Sequence, residues 1–165
     1  ENILAHGKGR LYMRILSLDV GEKNIGVAIS DELGIIAQGL GVIKRQNRRQ
    51  DFSILAQYLK EYEVQEIIVG LPRNMDGTIG PQAREILDFK EKLARFVNVP
   101  VITWDERLTT VAANRTLLEA NVSRRGRKKV VDKLAAVFIL ESYLRYKKMR
   151  SADEQGKNNQ GEGSK

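Results

Sequence analysis

"LSLDVGEKNIGVAIS" (residues 16–30) contains two apolar, β-branched runs that are separated by a short polar turn. The runs extend over residues 14–20 and 24–30, and a third run, residues 34–45, follows a second turn that carries glycine. Short apolar runs joined by such turns are typical of β-hairpins. The stretch therefore predicts three antiparallel strands, and it places one carboxylate, Asp19, at the end of the first strand.

The remainder of the chain alternates between helical and extended patterns. From Asp51 onward, apolar residues recur every three or four positions, which is typical of an amphipathic helix. Further strands are predicted at residues 66–72 and 99–106, and further helices at residues 80–96, 109–121 and 130–148. This order predicts an α/β fold with a mixed five-stranded sheet, in which three antiparallel hairpin strands are followed by two parallel strands, flanked by helices.

The length of 165 residues predicts a single domain, which we assign to residues 13–149. Residues 1–12 show no periodicity, and we expect them to derive from an expression vector. Residues 150–165 contain no large apolar side chain, and we expect them to form a disordered polar tail. The domain is long enough to bury a core of its own.

The composition favours a polyanionic partner. The chain has 28 Lys and Arg residues against 21 Asp and Glu residues, which gives a net charge of +7, and such a balance attracts nucleic acid. It has no cysteine, which excludes a disulfide framework and a thiolate metal site and fits a reducing cytoplasm. No apolar run approaches the roughly 18 residues that span a membrane. We therefore expect a cytoplasmic protein without a membrane partner.

Several carboxylates are predicted to meet at one edge of the sheet. If the first strand is central, its end shares an edge with the ends of the later parallel strands, where open α/β sheets bind ligands. This places Asp19 near Asp105 and Glu106, of which only one faces the cluster because adjacent strand residues point to opposite faces. Asp132 is the further candidate, since Ala135 and Ala136 on its helical face permit a close approach to the sheet. The alternatives are structural: a strand-ending turn for Asp19 and a favourable first-turn charge for Asp132.

Carboxylates that converge without histidine suit Mg²⁺ or Mn²⁺, because both ions prefer oxygen ligands and often bridge substrate phosphates. Two such ions about 4 Å apart can activate a water molecule and stabilise the leaving oxygen during phosphodiester hydrolysis. The candidate ligands are Asp19, Asp132 and Glu106, with Asp105 as the alternative to Glu106.

Basic residues near these carboxylates are candidates for contacts with phosphate. Two clusters stand out, "KRQNRR" (44–49) and "RRGRKK" (124–129), and the second immediately precedes Asp132. Such contacts contribute affinity but little sequence preference. Lys23 and Arg107 adjoin predicted ligands, and each is either a phosphate contact or a simple counter-charge. The backbone amides near Gly80, at a predicted helix start, are a further anion site. The second cluster supplies the candidates Arg124, Arg125, Arg127 and Lys128.

Four motifs, "LDVGEKNIGVAIS", "VGLPRNMDGTIGPQA", "DERLTT" and "VDKLAA", together resemble the YqgF family. The family's members are described as Holliday-junction resolvases or as nucleases of pre-16S ribosomal RNA. The resemblance covers about residues 14–148, and the order and spacing of the four motifs make it specific. It implies an RNase H-like fold and a metal-dependent nuclease whose acidic residues correspond to Asp19, Glu106 and Asp132.

One departure bears on the substrate. In the resolvases that the family resembles, a glutamate ends the fourth strand, whereas this chain has Gly70, Leu71 and Pro72 there. The departure favours maturation of the 5′ end of small-subunit ribosomal RNA over junction resolution. We expect structured RNA or branched DNA as the partner of a monomer or homodimer.

Two other classes of protein compete with the nuclease. Actin-like ATPases also open on an aspartate–glycine hairpin, but they need two such domains, for which this chain is too short. A non-catalytic nucleic-acid-binding module is the second class, and the three retained carboxylates argue against it.

Overall fold

The computed structural model describes residues 13–110 and 127–160, without the side chains of residues 127–129 and 158–160. The helix predicted at residues 109–121 lies almost entirely outside the described residues. The described elements are β1 (Arg14–Val20), β2 (Asn24–Ser30), β3 (Ala37–Lys44), α1 (Arg48–Glu61), β4 (Val64–Leu71), α2 (Pro81–Phe96), β5 (Val101–Asp105), a turn of 3-10 helix (Glu106–Leu108) and α3 (Arg127–Gln160).

The five strands form one mixed sheet in the order β3-β2-β1-β4-β5. Strand β2 pairs antiparallel with β1 and with β3, whereas β4 pairs parallel with β1 and with β5. Three hairpin strands followed by two crossover strands produce this arrangement, because strands that a helix connects run parallel. The predicted five-stranded mixed sheet is confirmed, with β1 at its centre.

The sheet separates two apolar layers, and the alternation of side chains along β1 decides which residues enter each layer. Leu16 and Leu18 pack in the core that α1 and α2 cover. Ile15 packs in the core beneath α3, and Ser17 donates a hydrogen bond to a backbone carbonyl of the same helix. Asp19 continues the second set, so its side chain lies on the α3 side of the sheet.

Helix α3 lies unusually close to the sheet. Ala135 and Ala136 are buried against it, and the Ser17 hydroxyl donates to the Ala136 carbonyl over 2.6 Å. At Gly26 of β2, a Cβ atom would lie only 1.9 Å from the backbone oxygen of Asp132. The helix backbone therefore rests directly on the strand, as the two alanines predict.

The last helix is longer than the sequence indicates. It continues to Gln160, so the disorder predicted for residues 150–165 is wrong for the described residues 150–160. A segment of polar side chains cannot form a buried core, but it can still form a helix. Here the Ser151 hydroxyl donates a hydrogen bond to the Lys147 carbonyl. Arg150 forms an ion pair with Glu154 at the i, i+4 spacing. Nowhere in residues 13–110 or 127–160 is there a helix apolar and long enough to cross a membrane.

Replacing Gly26 with alanine should destabilise the fold by about 1–3 kcal/mol, because the new methyl group overlaps the α3 backbone and forces it from the sheet. Urea-induced unfolding measures the effect. Gly41→Ala is the matched control, since a Cβ atom there meets its nearest neighbour, the Tyr58 hydroxyl, only at 4.0 Å. Equal stabilities of the two variants would contradict the close approach.

Candidate active site

Asp19 occupies the end of the central strand with a glycine on each side of it. Its antiparallel partner in β2 is Gly26. On the other side, Leu18 pairs with Val69 of β4, so Gly70 lies next to Asp19 one position further along. Asp19 is only 7% exposed. Because neither neighbour carries a side chain, the space on both sides of the carboxylate is open to groups from other elements.

Glu106 enters the space above Gly70. One carboxylate oxygen of Glu106 lies 2.7 Å from the position that a Cβ atom on Gly70 would take. The methyl end of Ile139, from α3, lies 2.5 Å from the same position. Any larger residue at position 70 would displace one of these groups, so the glycine allows Glu106 to reach across the sheet towards Asp19.

Asp132 approaches from the opposite side, where the α3 backbone rests on Gly26. Asp132 is half-buried, and its Oδ2 atom is shielded from solvent. Gly26 and Gly70 are the neighbours of Asp19 on β2 and β4, so the Asp132 backbone and the Glu106 carboxylate each lie against a residue that flanks Asp19. The structure therefore brings these three predicted residues to one end of the α3 face.

The three carboxylates are suitable ligands for a hard cation, but they do not by themselves surround an ion completely. All three groups are carboxylates, which Mg²⁺ and Mn²⁺ prefer. Within the described ranges, no three acidic or histidine side chains are already gathered tightly enough to hold an ion by themselves. Magnesium commonly uses one or two carboxylates and completes its shell with water and substrate phosphate. The residues therefore fit an open site to which substrate contributes ligands.

Asp105, the alternative to Glu106, points away from this group. It pairs with Leu71 of β4 and shares the side of the sheet on which Leu71 packs, beneath α1 and α2. Its carboxylate accepts hydrogen bonds from the backbone amide of Arg107 at 2.9 Å and from the Arg107 guanidinium at 2.7 Å. The side-chain bond from Arg107 is the main reason that the pKa of Asp105 lies below its usual range. The geometry thus favours Glu106.

Arg107 acts as the counter-charge of Asp105, which is one of the two alternatives that the sequence leaves open. Its guanidinium also approaches the backbone oxygen of Met75 at 3.5 Å, in the loop of residues 73–80. Hydrogen bonding to Asp105 raises the pKa of Arg107. The pair therefore fixes the short turn that carries Glu106 and links it to the neighbouring loop.

The other predicted phosphate-binding residues belong to three separate parts of the chain. Lys23 is exposed in the turn that follows β1. Gly80 precedes the first residue of α2, and α2 covers the opposite face of the sheet from α3. The structure therefore does not bring Gly80 to the carboxylate face. Arg124 and Arg125 lie outside the described residues, and Arg127 and Lys128 belong to the first turn of α3 by backbone alone.

Sequence reasoning missed the roles of Gly26 and Gly70 beside Asp19. The available signal was a glycine inside an otherwise apolar strand, which often marks a position where another backbone or group approaches closely. The sequence leaves open a counter-charge role for Arg107, but it does not show the several hydrogen bonds to Asp105, because these depend on the 3-10 turn that begins directly after Asp105.

A mixed sheet in this order, with helix α3 across the face where the carboxylates meet, defines a protein of the RNase H-like class. The family model described as Holliday junction resolvase, RuvX, matches residues 13–146. The chain belongs to this family.

Relatives and a solved structure agree with this assignment. A protein of Thermoanaerobacter pseudethanolicus is 58% identical over 133 residues, which cover 80% of this chain and 96% of the relative. A protein of Clostridium acetobutylicum is 54% identical over 132 residues, with coverage of 80% and 98%. The names of both propose a pre-16S rRNA nuclease. Thermus thermophilus RuvC, solved with a Holliday junction, superposes with a TM-score of 0.52 at 14% identity, over 81% of this chain and 96% of its own. This likeness shows the shared fold.

The Arg107→Gln substitution should raise the pKa of Asp105 towards its usual value of 3.8, because the strongest hydrogen bond to the ionised carboxylate is lost. Titration of the carboxyl resonance by NMR measures the change. Since the folded pKa is depressed, the pair stabilises the protein at pH values above 3.8, and this contribution is lost as the pH falls through the folded value. Arg73→Gln is the matched control, because Arg73 acts on Asp105 only through its more distant charge. A larger shift in the control would refute the assignment.

Proposed function

We propose that this protein is a metal-dependent nuclease that hydrolyses phosphodiester bonds and that its substrate is the 5′ region of pre-16S ribosomal RNA. The observation that supports the proposal is that a Glu106 carboxylate oxygen lies above Gly70 and the Asp132 backbone rests on Gly26, the two residues that flank Asp19 in the sheet. The names of relatives that are 58% and 54% identical support the RNA substrate. The proposal places the protein in the cytoplasm, as a monomer or homodimer.

In this proposal Asp19, Glu106 and Asp132 hold Mg²⁺ or Mn²⁺. Such an ion, when bound, stabilises the charge that develops on the phosphate and makes a nearby water a stronger nucleophile. Asp19, anchored on the central strand, sets the position of the scissile phosphate relative to the sheet. Glu106, on the turn after β5, contributes the second carboxylate, and α3 holds Asp132 in place and covers one side of the site.

Cationic side chains are assigned to the phosphates on either side of the scissile bond. Lys23 belongs to the turn directly after Asp19, and Arg124, Arg125, Arg127 and Lys128 precede Asp132 in the chain. Contacts of this kind hold the backbone of the substrate and read little of its sequence. They leave the choice of substrate to the shape of the nucleic acid.

Resolution of Holliday junctions is the second candidate function, because the matching family model carries that description. The end of β4 favours ribosomal RNA over the junction. Its last two residues are Gly70 and Leu71 rather than a carboxylate, and the space above Gly70 holds the side chain of Glu106. A site with this arrangement takes its second carboxylate from the turn after β5.

Asp19→Asn should slow cleavage of a labelled pre-16S RNA fragment by about 100-fold or more, because a neutral amide binds a divalent ion far more weakly than a carboxylate. Glu106→Gln and Asp132→Asn should show losses of the same order. Glu61→Gln, at the exposed end of α1, is the matched control and should cut at the parental rate. If Asp19→Asn cuts as fast as the parent, the activity belongs to a contaminant or the site is wrongly assigned.

Removal of divalent ions with EDTA should abolish cleavage, and Mg²⁺ or Mn²⁺ should restore it, because the carboxylates repel the substrate phosphate unless a cation lies between them. The assay compares pre-16S RNA with a four-way DNA junction and with single- and double-stranded RNA and DNA. We expect the ribosomal precursor to be cut fastest. Faster cleavage of the junction would favour the second candidate, and tight binding without any cleavage would favour a non-catalytic module.

A further inference from the structure

A basic groove lies between the first turn of α1 and the last turns of α2. We call it the α1/α2 groove. Its volume is about 560 Å³. It is lined by Arg48, Arg49, Phe52, Lys92, Arg95 and Phe96. Four of these six side chains are cationic and two are aromatic, a composition that distinguishes the groove from the apolar cores on either side of the sheet.

The lining of the groove is positively charged. Its six residues include four cations and no carboxylate. Asp88, outside the lining, forms an ion pair with Lys92. The hydrogen bond from Lys92, followed by the charges of Arg48 and Arg95, lowers the pKa of Asp88. A lining of this composition attracts an anionic ligand.

The positions of Arg48 and Arg49 are unfavourable for the helix that carries them. They are the first two residues of α1, after the Asn47 cap, and the positive end of the helix dipole disfavours cations there. Both side chains are exposed. Helix formation therefore does not explain two arginines at this end, whereas binding of an anion does.

Arg45, from the same basic cluster, has a different role. It forms an ion pair with the buried carboxylate of Asp51 at 3.7 Å and donates to the Gly21 carbonyl at 2.7 Å. The run "KRQNRR" thus divides in two. Arg45 holds the turn after β1 against α1, and Arg48 and Arg49 face the groove.

Phe96 gives the groove an accessible aromatic face. Its ring lies 5.6 Å from that of Phe52, centroid to centroid, yet the residue remains 49% exposed. An exposed phenylalanine beside cations is the arrangement with which proteins bind single-stranded nucleic acid, because a base stacks on the ring while phosphates pair with the cations. A double helix does not offer its bases in this way.

We propose that the α1/α2 groove binds a single-stranded segment of nucleic acid, with phosphates on its four cations and a base on Phe96. The groove lies on the α1 and α2 side of the sheet, whereas Asp19, Glu106 and Asp132 lie on the α3 side. It is therefore a second surface, separate from the carboxylates. The inference rests on the nucleic-acid partner of the proposed function but not on cleavage.

The test is binding of a fluorescein-labelled oligouridylate, followed by fluorescence anisotropy in EDTA so that no cleavage occurs. The charge-reversal variant Arg49→Glu with Arg95→Glu should raise Kd at least 10-fold. It should also reduce the slope of log Kd against log salt by about 1.4, the value for two lost phosphate contacts on a single strand. The readout is binding in the absence of divalent ions, so failure of the nuclease proposal would leave this result unchanged.

The matched control reverses two lysines elsewhere, Lys60→Glu with Lys148→Glu. Both are exposed, and the variant has the same net charge as the groove variant but leaves the groove intact. We expect its Kd to change less than 2-fold. An equal loss of affinity in the two variants would show that only net charge matters and would overturn the proposal. Parental affinity of the groove variant would overturn it as well.

The role of Phe96 is tested by two substitutions that both keep a large apolar side chain against Phe52. Phe96→Leu removes the aromatic face and should raise Kd about 5-fold or more, whereas Phe96→Tyr keeps it and should bind as the parent does. Thermal unfolding checks that both variants fold. A glutamate-rich peptide is the competing ligand. If the groove variant binds this peptide more weakly than the parent does but binds the oligouridylate equally well, the ligand is an acidic protein segment and the proposal is wrong.

Discussion

The contact between the α3 backbone and Gly26 is the constraint on which the rest of the site depends. Side chains normally separate the backbone of a helix from the sheet beneath it, because they fill the space between the two layers. Here the backbone oxygen of Asp132 lies 1.9 Å from the place that a Cβ atom on Gly26 would occupy. One turn further on, the Ser17 hydroxyl donates a hydrogen bond to the Ala136 carbonyl. The small residues at this crossing bring the backbone of the helix at Asp132 to the level of the strands.

On the other side of Asp19, other groups also fill the space that a glycine leaves empty. At Gly70, the missing side chain is replaced by the carboxylate of Glu106 and by Ile139. The two glycines therefore admit a carboxylate on one side of Asp19 and a helix backbone on the other. Carboxylates brought near one another repel and favour a cation that enters between them. In the proposed nuclease, a metal ion would relieve this repulsion.

Much of this arrangement follows from the sequence. The two apolar runs and the short turn in residues 14–30 predict the hairpin, and the parallel connections place Asp19 and the end of β5 at one edge. The sequence alone does not decide between Asp105 and Glu106, because the choice depends on the residue at which β5 ends and the 3-10 turn begins. It also underestimates α3, since polar residues stabilise an exposed helix by local bonds that hydrophobic periodicity does not report. Where the chain has Gly70 instead of a carboxylate, the sequence predicts that Glu106 substitutes for it, and the fold shows a Glu106 oxygen above Gly70.

The sheet order also determines how firmly each carboxylate is held over time. Asp19 is on a strand with hydrogen-bonded neighbours on both sides, whereas Glu106 follows the last paired residue of β5, which has one paired neighbour among the described strands. Local opening is rare in central strands and frequent near element ends. Asp19 is therefore held rigidly, whereas Glu106 has more freedom to move. In the proposed nuclease, such a site would follow the changing geometry of a phosphate as its bond breaks without disturbing the core.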